Sequence, residues 1–306
     1  MSIKSVLRVL IGCGALAGCA GTQGVPQFQA YSRAFDEFQA VSNALYDRAA
    51  HYERRNKLIA LCTQARSEFP PAGIEMRYCR DGTYTSRNFN ADEAAYFVAD
   101  VDPPHVAAQR QLLKIVASFN AALLAYAEGR ALEPIQAELR KTAGEVELLV
   151  SAVGGTAVPV GAALKALESA VGALVSASSR EAFRQILLDQ YAVVDKALVM
   201  VRDGAGADGS GGASLLFTVM TADLTRAIAG DPLKGAPERA LREREDTRLV
   251  LSRWVILLDR VRRALRESRD VVAADATALD AAGGLAVTAG EIRASAEATR
   301  RALAGL

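Results

Sequence analysis

Nine residues, Tyr31, Phe35, Phe38, Ser42, Leu45, Ala49, Tyr52, Asn56 and Ile59, recur at alternating steps of four and three. Residues so spaced lie on one face of an α-helix, whereas a strand would need alternation with period two. The stripe predicts a nearly continuous helix over residues 27–67. Its seam packs against other helices at a shallow angle. Asn56 falls inside the seam, where a polar residue fixes register at some cost in stability. Val250, Trp254, Leu257, Val261 and Ala264 repeat the pattern within a predicted helix at 237–269. Arg253, Asp259, Arg260, Arg262 and Arg263 cover its other side, and the acid among them marks a solvated, paired face.

The rest of the chain carries the same period in shorter pieces. Leu112, Ile115, Val116, Phe119, Leu123 and Tyr126 mark a helical stretch within 105–152, with a break expected at Gly129 and a restart near Pro134. Phe183, Ile186, Leu187, Tyr191, Val194 and Leu198 mark another over 180–202, and 215–228 a third. Residues 203–212 read as a Gly-rich linker. Their two aspartates lack the remaining ligands of a calcium loop. The Ala-rich last 35 residues contain Gly283-Gly284, which either let two helix backbones approach closely or mark a kink. The fold class is therefore all-α: an elongated bundle of five to seven long, antiparallel, coiled-coil-like helices.

Two stretches depart from this pattern. Residues 69–104 hold Pro70-Pro71, Gly73, the Arg80-Asp81-Gly82 turn and Pro103-Pro104, and read as one irregular excursion. Leu148 to Leu164 carries no charge and contains Gly154-Gly155 and Pro159; a second apolar arm runs from Ala170 to Ala177. Residues 148–177 are expected to form an apolar helical hairpin or broken helix at one end of the bundle. Neither arm reaches the ~20 apolar residues of a membrane span. Lys165 and Glu168, three apart, are placed to pair on one face.

The N-terminus has a different logic. Lys4 and Arg8 precede an uncharged apolar run from Val9 to Ala17, the pattern of a secretory signal. The run ends in Leu16-Ala17-Gly18-Cys19, which resembles the lipobox of bacterial lipoproteins at every position. The resemblance covers residues 1–19 only. It implies cleavage after a signal peptide of residues 1–18, lipid attachment at Cys19, and a tether at 19–26. Residue 20 is Ala rather than the Asp that resembles an inner-membrane retention signal in enterobacterial lipoproteins. The implied location is the outer membrane facing the periplasm, in preference to the inner membrane. Acyl chains at ~0.8 kcal/mol per buried CH₂ anchor such a protein without a membrane helix.

With Cys13 removed and Cys19 lipidated, Cys62 and Cys79 are the pair left to an oxidising periplasm. Their disulfide would close a loop of about 18 residues, add roughly 3 kcal/mol, and pin the excursion to the first helix. A zinc site using His51 or His105 is disfavoured, because the chain has two histidines and no CxxC spacing. The excursion carries Tyr78, Arg80, Tyr84, Arg87 and Phe89, the candidate partner-binding surface. A cap on a bundle end is the plainer expectation for it.

No catalytic constellation stands out. GxSxG, P-loop and HExxH patterns are missing from the sequence. Asp36-Glu37 and Asp92-Glu93 are adjacent pairs, which do not face each other on a helix. Without Lys4 and Arg8 the 36 basic residues become 34 against 35 acidic ones, so charge points to no nucleic acid. The expected function is a lipid-anchored periplasmic bundle acting as a structural or interaction component of the envelope. It uses no cofactor, metal or catalysis, and has an envelope protein as partner. The alternative is a membrane-inserting or pore-related protein. Its apolar hairpin resembles in layout, not in motif, the hydrophobic tongue of helical cytolysins of the cytolysin A type. A close-packed core helix is the favoured reading of that segment.

Overall fold

The computed structural model describes residues 25–68, 96, 98, 100–153, 161–203, 212–230, 236–274 and 279–306. Among them are eight helices and no strand. They are α1 (Val25–Glu68), α2 (Pro104–Ala127), α3 (Leu132–Val153), α4 (Gly161–Val175), α5 (Arg180–Asp203), α6 (Gly212–Gly230), α7 (Ala236–Ala273) and α8 (Leu279–Ala304). That is one helix more than the five to seven expected. The chain is an all-α helical bundle. The signal peptide, Cys19, Cys79 and the surface residues Tyr78, Arg80, Tyr84, Arg87 and Phe89 lie outside the described residues, as do 154–160 and 204–211. Cys62 lies on α1, but its side chain is likewise outside them.

At ~1.5 Å per residue the 44 residues of α1 extend about 66 Å. Its stripe is buried from Tyr31 through Ala49 and half-buried at Tyr52 and Asn56. The polar member Ser42 is fully enclosed and satisfied. Its Oγ donates to the Phe38 carbonyl at 2.9 Å and accepts from Trp254 Nε1 at 3.0 Å. Trp254, the chain's one tryptophan, meets Tyr46 edge-on with ring centroids 6.1 Å apart. Asn56 donates through Nδ2 to the Val219 carbonyl of α6 at 2.8 Å, so the polar seam position holds a neighbouring backbone.

Residue pairs fix the directions of the long helices. Arg293 reaches the Ala30 carbonyl and Arg300 pairs with Glu37, both across 263 positions, so α8 runs parallel to α1. α7 runs against α8, because Arg253 meets Ala298 while Arg260 meets Glu291. α2 runs against α1, because Tyr31 bonds Asn120 while Asn43 bonds Arg110. α5 runs against α7: Arg202 pairs with Asp259, and Arg184 bonds the carbonyls of Val272 and Ala273. α1 therefore sits among α2, α6, α7 and α8, and α5 among α2, α4, α6 and α7. The α3–α4 pair packs on α2 and α5.

Helix ends carry unpaired carbonyls, and four C-termini here are closed by side chains from other helices. Arg48 donates to Leu303 of α8 at 3.0 Å. Arg184 donates to Val272 and Ala273 of α7, both at 3.0 Å. Gln136 donates to Leu174 and Ala177 at the end of α4, at 3.4 and 2.9 Å. Arg180 bonds the carbonyls of Tyr126 and Arg130 past the end of α2, with its guanidinium 4.4 Å from the Tyr126 ring centroid. Three of the four donors are arginines, whose charge complements the negative end of a helix dipole. α2 itself ends through Gly129 at φ +73°, a left-handed position that glycine adopts without strain.

The glycines of α8 make no kink, since the helix continues through Gly283-Gly284. A side chain at Gly283 or Gly290 would meet nothing within 4 Å, whereas one at Gly284 would lie 3.8 Å from the Glu267 side chain of α7, so Gly284 alone of the pair faces a neighbouring helix. The buried small residues are Ala282, Ala289 and Ala296, at heptad spacing beside Leu285, Ile292 and Thr299.

The second apolar arm is part of the core. Leu167, Ala170, Val171 and Leu174 of α4 are buried. Their helix packs on α3, α5 and α2. No helix among the described residues is long and apolar enough to cross a membrane.

Candidate functional site at the base of the excursion

The middle of α1 carries a dense polar cluster. Residues 96, 98 and 100–103, called the strap below, precede α2, and side chains of α1 and α2 hold Tyr96, Val101 and Asp102 among them. Pro104 opens α2 as its first residue, where a missing N–H costs nothing. Just before it, Asp102 meets Arg110 Nε at 2.6 Å. The same guanidinium donates to Asn43 at 3.1 Å, pairs with Asp47 and lies 5.8 Å from the Tyr46 ring centroid. Arg110 thus joins the strap, α2 and three residues of α1.

One turn further along α1, Arg54 donates through Nη2 to the Val101 carbonyl. Tyr96 donates through its hydroxyl to Glu53 Oε1 at 3.4 Å, and Lys57 Nζ sits 5.7 Å from the Tyr96 ring centroid. On the α6 side Arg55 pairs with Asp223 at 3.0 Å. Between these contacts lies a void of about 10 Å³ lined by Ala49, Glu53, Val106, Gln109, Leu215, Leu216 and Val219. That volume admits nothing larger than a water molecule.

Glu53 is the cluster's unusual member. Burial against α2 and α6 pushes its carboxyl up to about 7, and nearby Asp102 pushes the same way. The Tyr96 hydrogen bond and the Arg54 charge oppose them without prevailing. A folded value above the ordinary 4.5 means that Glu53 favours folding while it is protonated. That stabilisation is complete below about pH 4.5 and is lost as pH rises through 7. Glu53→Gln should match the wild-type stability near pH 4.5 and exceed it by on the order of 2 kcal/mol at pH 8.5, after a discount for partial solvation. Urea midpoints at the two pH values check this. An equal difference at both would show that Glu53 ionises normally.

Sequence reasoning missed this cluster. The signal available was narrow: Glu53 directly follows seam residue Tyr52, and Asn56 interrupts the apolar stripe three residues later. Together they mark where α1 stops meeting a purely apolar partner. His51 points outward with its ring 5.8 Å from Tyr52. Asp36 is exposed and Glu37 reaches Arg300, as expected of a solvated helix face.

A second concavity lies between α2 and α3. It is an open groove of about 280 Å³ lined by Lys114, Lys141, Glu138, Ser118 and Thr142 above Ile135, Leu139, Ala121 and Ala122. Ser118 and Thr142 are 3.0 Å apart, and each also faces a backbone carbonyl of its own helix. Two hydroxyl protons therefore serve three contacts. The groove lies at the lower edge of ligand-pocket size, ~300 Å³. The chemistry in both places is charge pairing and helix bridging.

No family model, curated protein or solved structure matches the chain.

Proposed function

We propose that this chain is a lipid-anchored protein of the cell envelope, attached through Cys19 to the outer membrane and extending into the periplasm as a non-catalytic interaction scaffold. The observation that carries the reading is the sequence Leu16-Ala17-Gly18-Cys19 placed six residues before α1 begins at Val25. Such a spacing leaves only a short tether between lipid and bundle. The bundle is elongated, and its seams on α1, α7 and α8 are coiled-coil-like in spacing. It presents the excursion at 69–104, pinned by a Cys62–Cys79 disulfide, as its contact surface. Tyr78, Arg80, Tyr84, Arg87 and Phe89 supply the aromatic and guanidinium side chains that dominate protein interfaces. The partner is an envelope protein. The contacts of Tyr96 to Glu53, Val101 to Arg54 and Asp102 to Arg110 support this reading, because they tie residues just before α2 to α1 and α2.

The membrane-inserting alternative would need the arms of the 148–177 hairpin free. Burial of Leu167, Val171 and Leu174 among α2, α3 and α5 supports a core role for the second arm instead.

Cys19→Ser tests the anchor. The variant is expected in the soluble fraction or as uncleaved precursor, while wild type sediments with membranes. A mature-size variant that still sediments would remove the basis of the proposal.

A further inference from the structure

α8 buries one side only. Ala282, Leu285, Ala289, Ile292 and Ala296 face the core. Residues 281–290 carry no charge, so the outward side of that stretch has none to turn to water. A helix that is apolar all round is ordinarily covered on both sides. Here Ala286, Val287 and Ala294 are exposed. Ile256 of α7 borders them: it lies between Arg253 and Arg260, at steps of three and four, and both arginines reach α8. Val287 at 66% and Ile256 at 53% are the most exposed large apolar side chains among the described residues. The rims of this face are basic. On the α7 side Arg260 and Arg263 share one carboxylate, Glu291. Arg253 donates to the Ala298 carbonyl and makes no ion pair among the described residues. On the α1 side Arg293 donates to the Ala30 carbonyl, and Arg33 stands exposed between Ala30 and Glu37, whose carboxylate is taken up by Arg300.

We propose that the face formed by α7 and α8 docks an acidic amphipathic helix of another protein. The apolar side of that helix covers Val287 and Ile256, and its carboxylates meet the arginine rims. Charge selects this occupant. A second copy of the chain, parallel or antiparallel, would set one arginine rim against another, and like charges across an interface are costly. A lipid surface would gain little, because Val287 and Ile256 are the only large apolar side chains the face offers for insertion. Among the residues between them, Gly290 has nothing within 4 Å of where a side chain would stand, so a partner helix meets no obstacle there. The face is separate from the excursion, and its docking role does not depend on a lipid at Cys19.

Fluorescence anisotropy with the full chain in detergent micelles tests the docking face, with empty micelles as the blank. The probes are two labelled synthetic helices of about three heptads with the same Leu/Ala seam, one flanked by glutamates and one by lysines. The Glu-flanked helix should bind, more weakly as salt rises, and the Lys-flanked helix should not. Val287→Lys should weaken binding about tenfold, the equivalent of losing one buried aliphatic side chain. Arg253→Glu reverses a rim charge without breaking an ion pair and should weaken binding severalfold. Both positions are exposed, so urea midpoints of the two variants should stay near wild type. No binding of the Glu-flanked helix, equal binding of both probes, or undiminished binding in either variant overturns the proposal. Two further results overturn it by naming a different occupant. Binding of phosphatidylglycerol vesicles that Val287→Lys abolishes, with no peptide binding, would make the face a membrane contact. A dimer in sedimentation velocity that Val287→Lys dissociates would make it an interface between copies.

Discussion

Trp254→Ala is expected to destabilise the protein by about 3–5 kcal/mol, the range for removing a large aromatic side chain from a packed core. Trp254 has no exposed surface and sits where α7 crosses α1. The substitution removes the ring from Tyr46 and the indole N–H from Ser42. Ser42 keeps its bond to the Phe38 carbonyl, so the loss is mainly packing and cavity formation. Leu249→Ala on the same helix is the control. Leu249 is 48% exposed, and its truncation should cost within about 0.5 kcal/mol. Urea midpoints read both effects, provided the slope of the transition is unchanged. Similar midpoints for the two variants would mean that α7 does not pack on α1 through Trp254.

Val171→Asp should be as damaging. Val171 lies on α4 with 2% of its surface exposed, in the core shared with α3 and α5. A carboxylate there has neither water nor a partner, and such burial costs about 3–5 kcal/mol or forces the carboxyl to stay protonated. The neighbouring position supplies the contrast. Gly172 is exposed, and a Cβ there would meet nothing within 4 Å. Gly172→Asp is therefore expected to fold with stability near wild type. The pair also separates a core role from a contact role for the second apolar arm. If Val171→Asp folds normally and only membrane or partner association is lost, the arm is a contact surface. Unfolding of Val171→Asp alone is the result the structure predicts.

The seams were legible because a periodic pattern needs only local sequence. Tyr31 to Ala49 on α1 and Val250 to Ala264 on α7 are buried as their spacing required. The break after α2 was legible too, since Gly129 announces a left-handed turn. What spacing could not show is contact between residues far apart in the chain. Arg184 caps α7 from 88 positions away, and Arg48 caps α8 across 255. Each reads in sequence as an ordinary surface arginine. α8 was legible only in part for a related reason. Gly283-Gly284 suggested a close approach or a kink; Gly284 alone of the two faces α7, and the rest of the apposed face is set by Ala282, Ala289 and Ala296. Counting small residues cannot say which side of a helix meets a neighbour. The Glu53 cluster was hidden likewise, because its raised carboxyl depends on α2 and α6 closing over it. Tyr78, Arg80, Tyr84, Arg87 and Phe89 rest on the sequence alone.

Whether a lipid on Cys19 holds this bundle at a membrane is decided by mass spectrometry of the mature N-terminal peptide, from protein purified out of the membranes of its own host. The expected spectrum shows a chain that begins at Cys19 with a thioether-linked diacylglycerol on its sulfur. A mature chain that begins elsewhere, or an unmodified Cys19, would refute the anchor and with it the proposed place of the protein in the envelope.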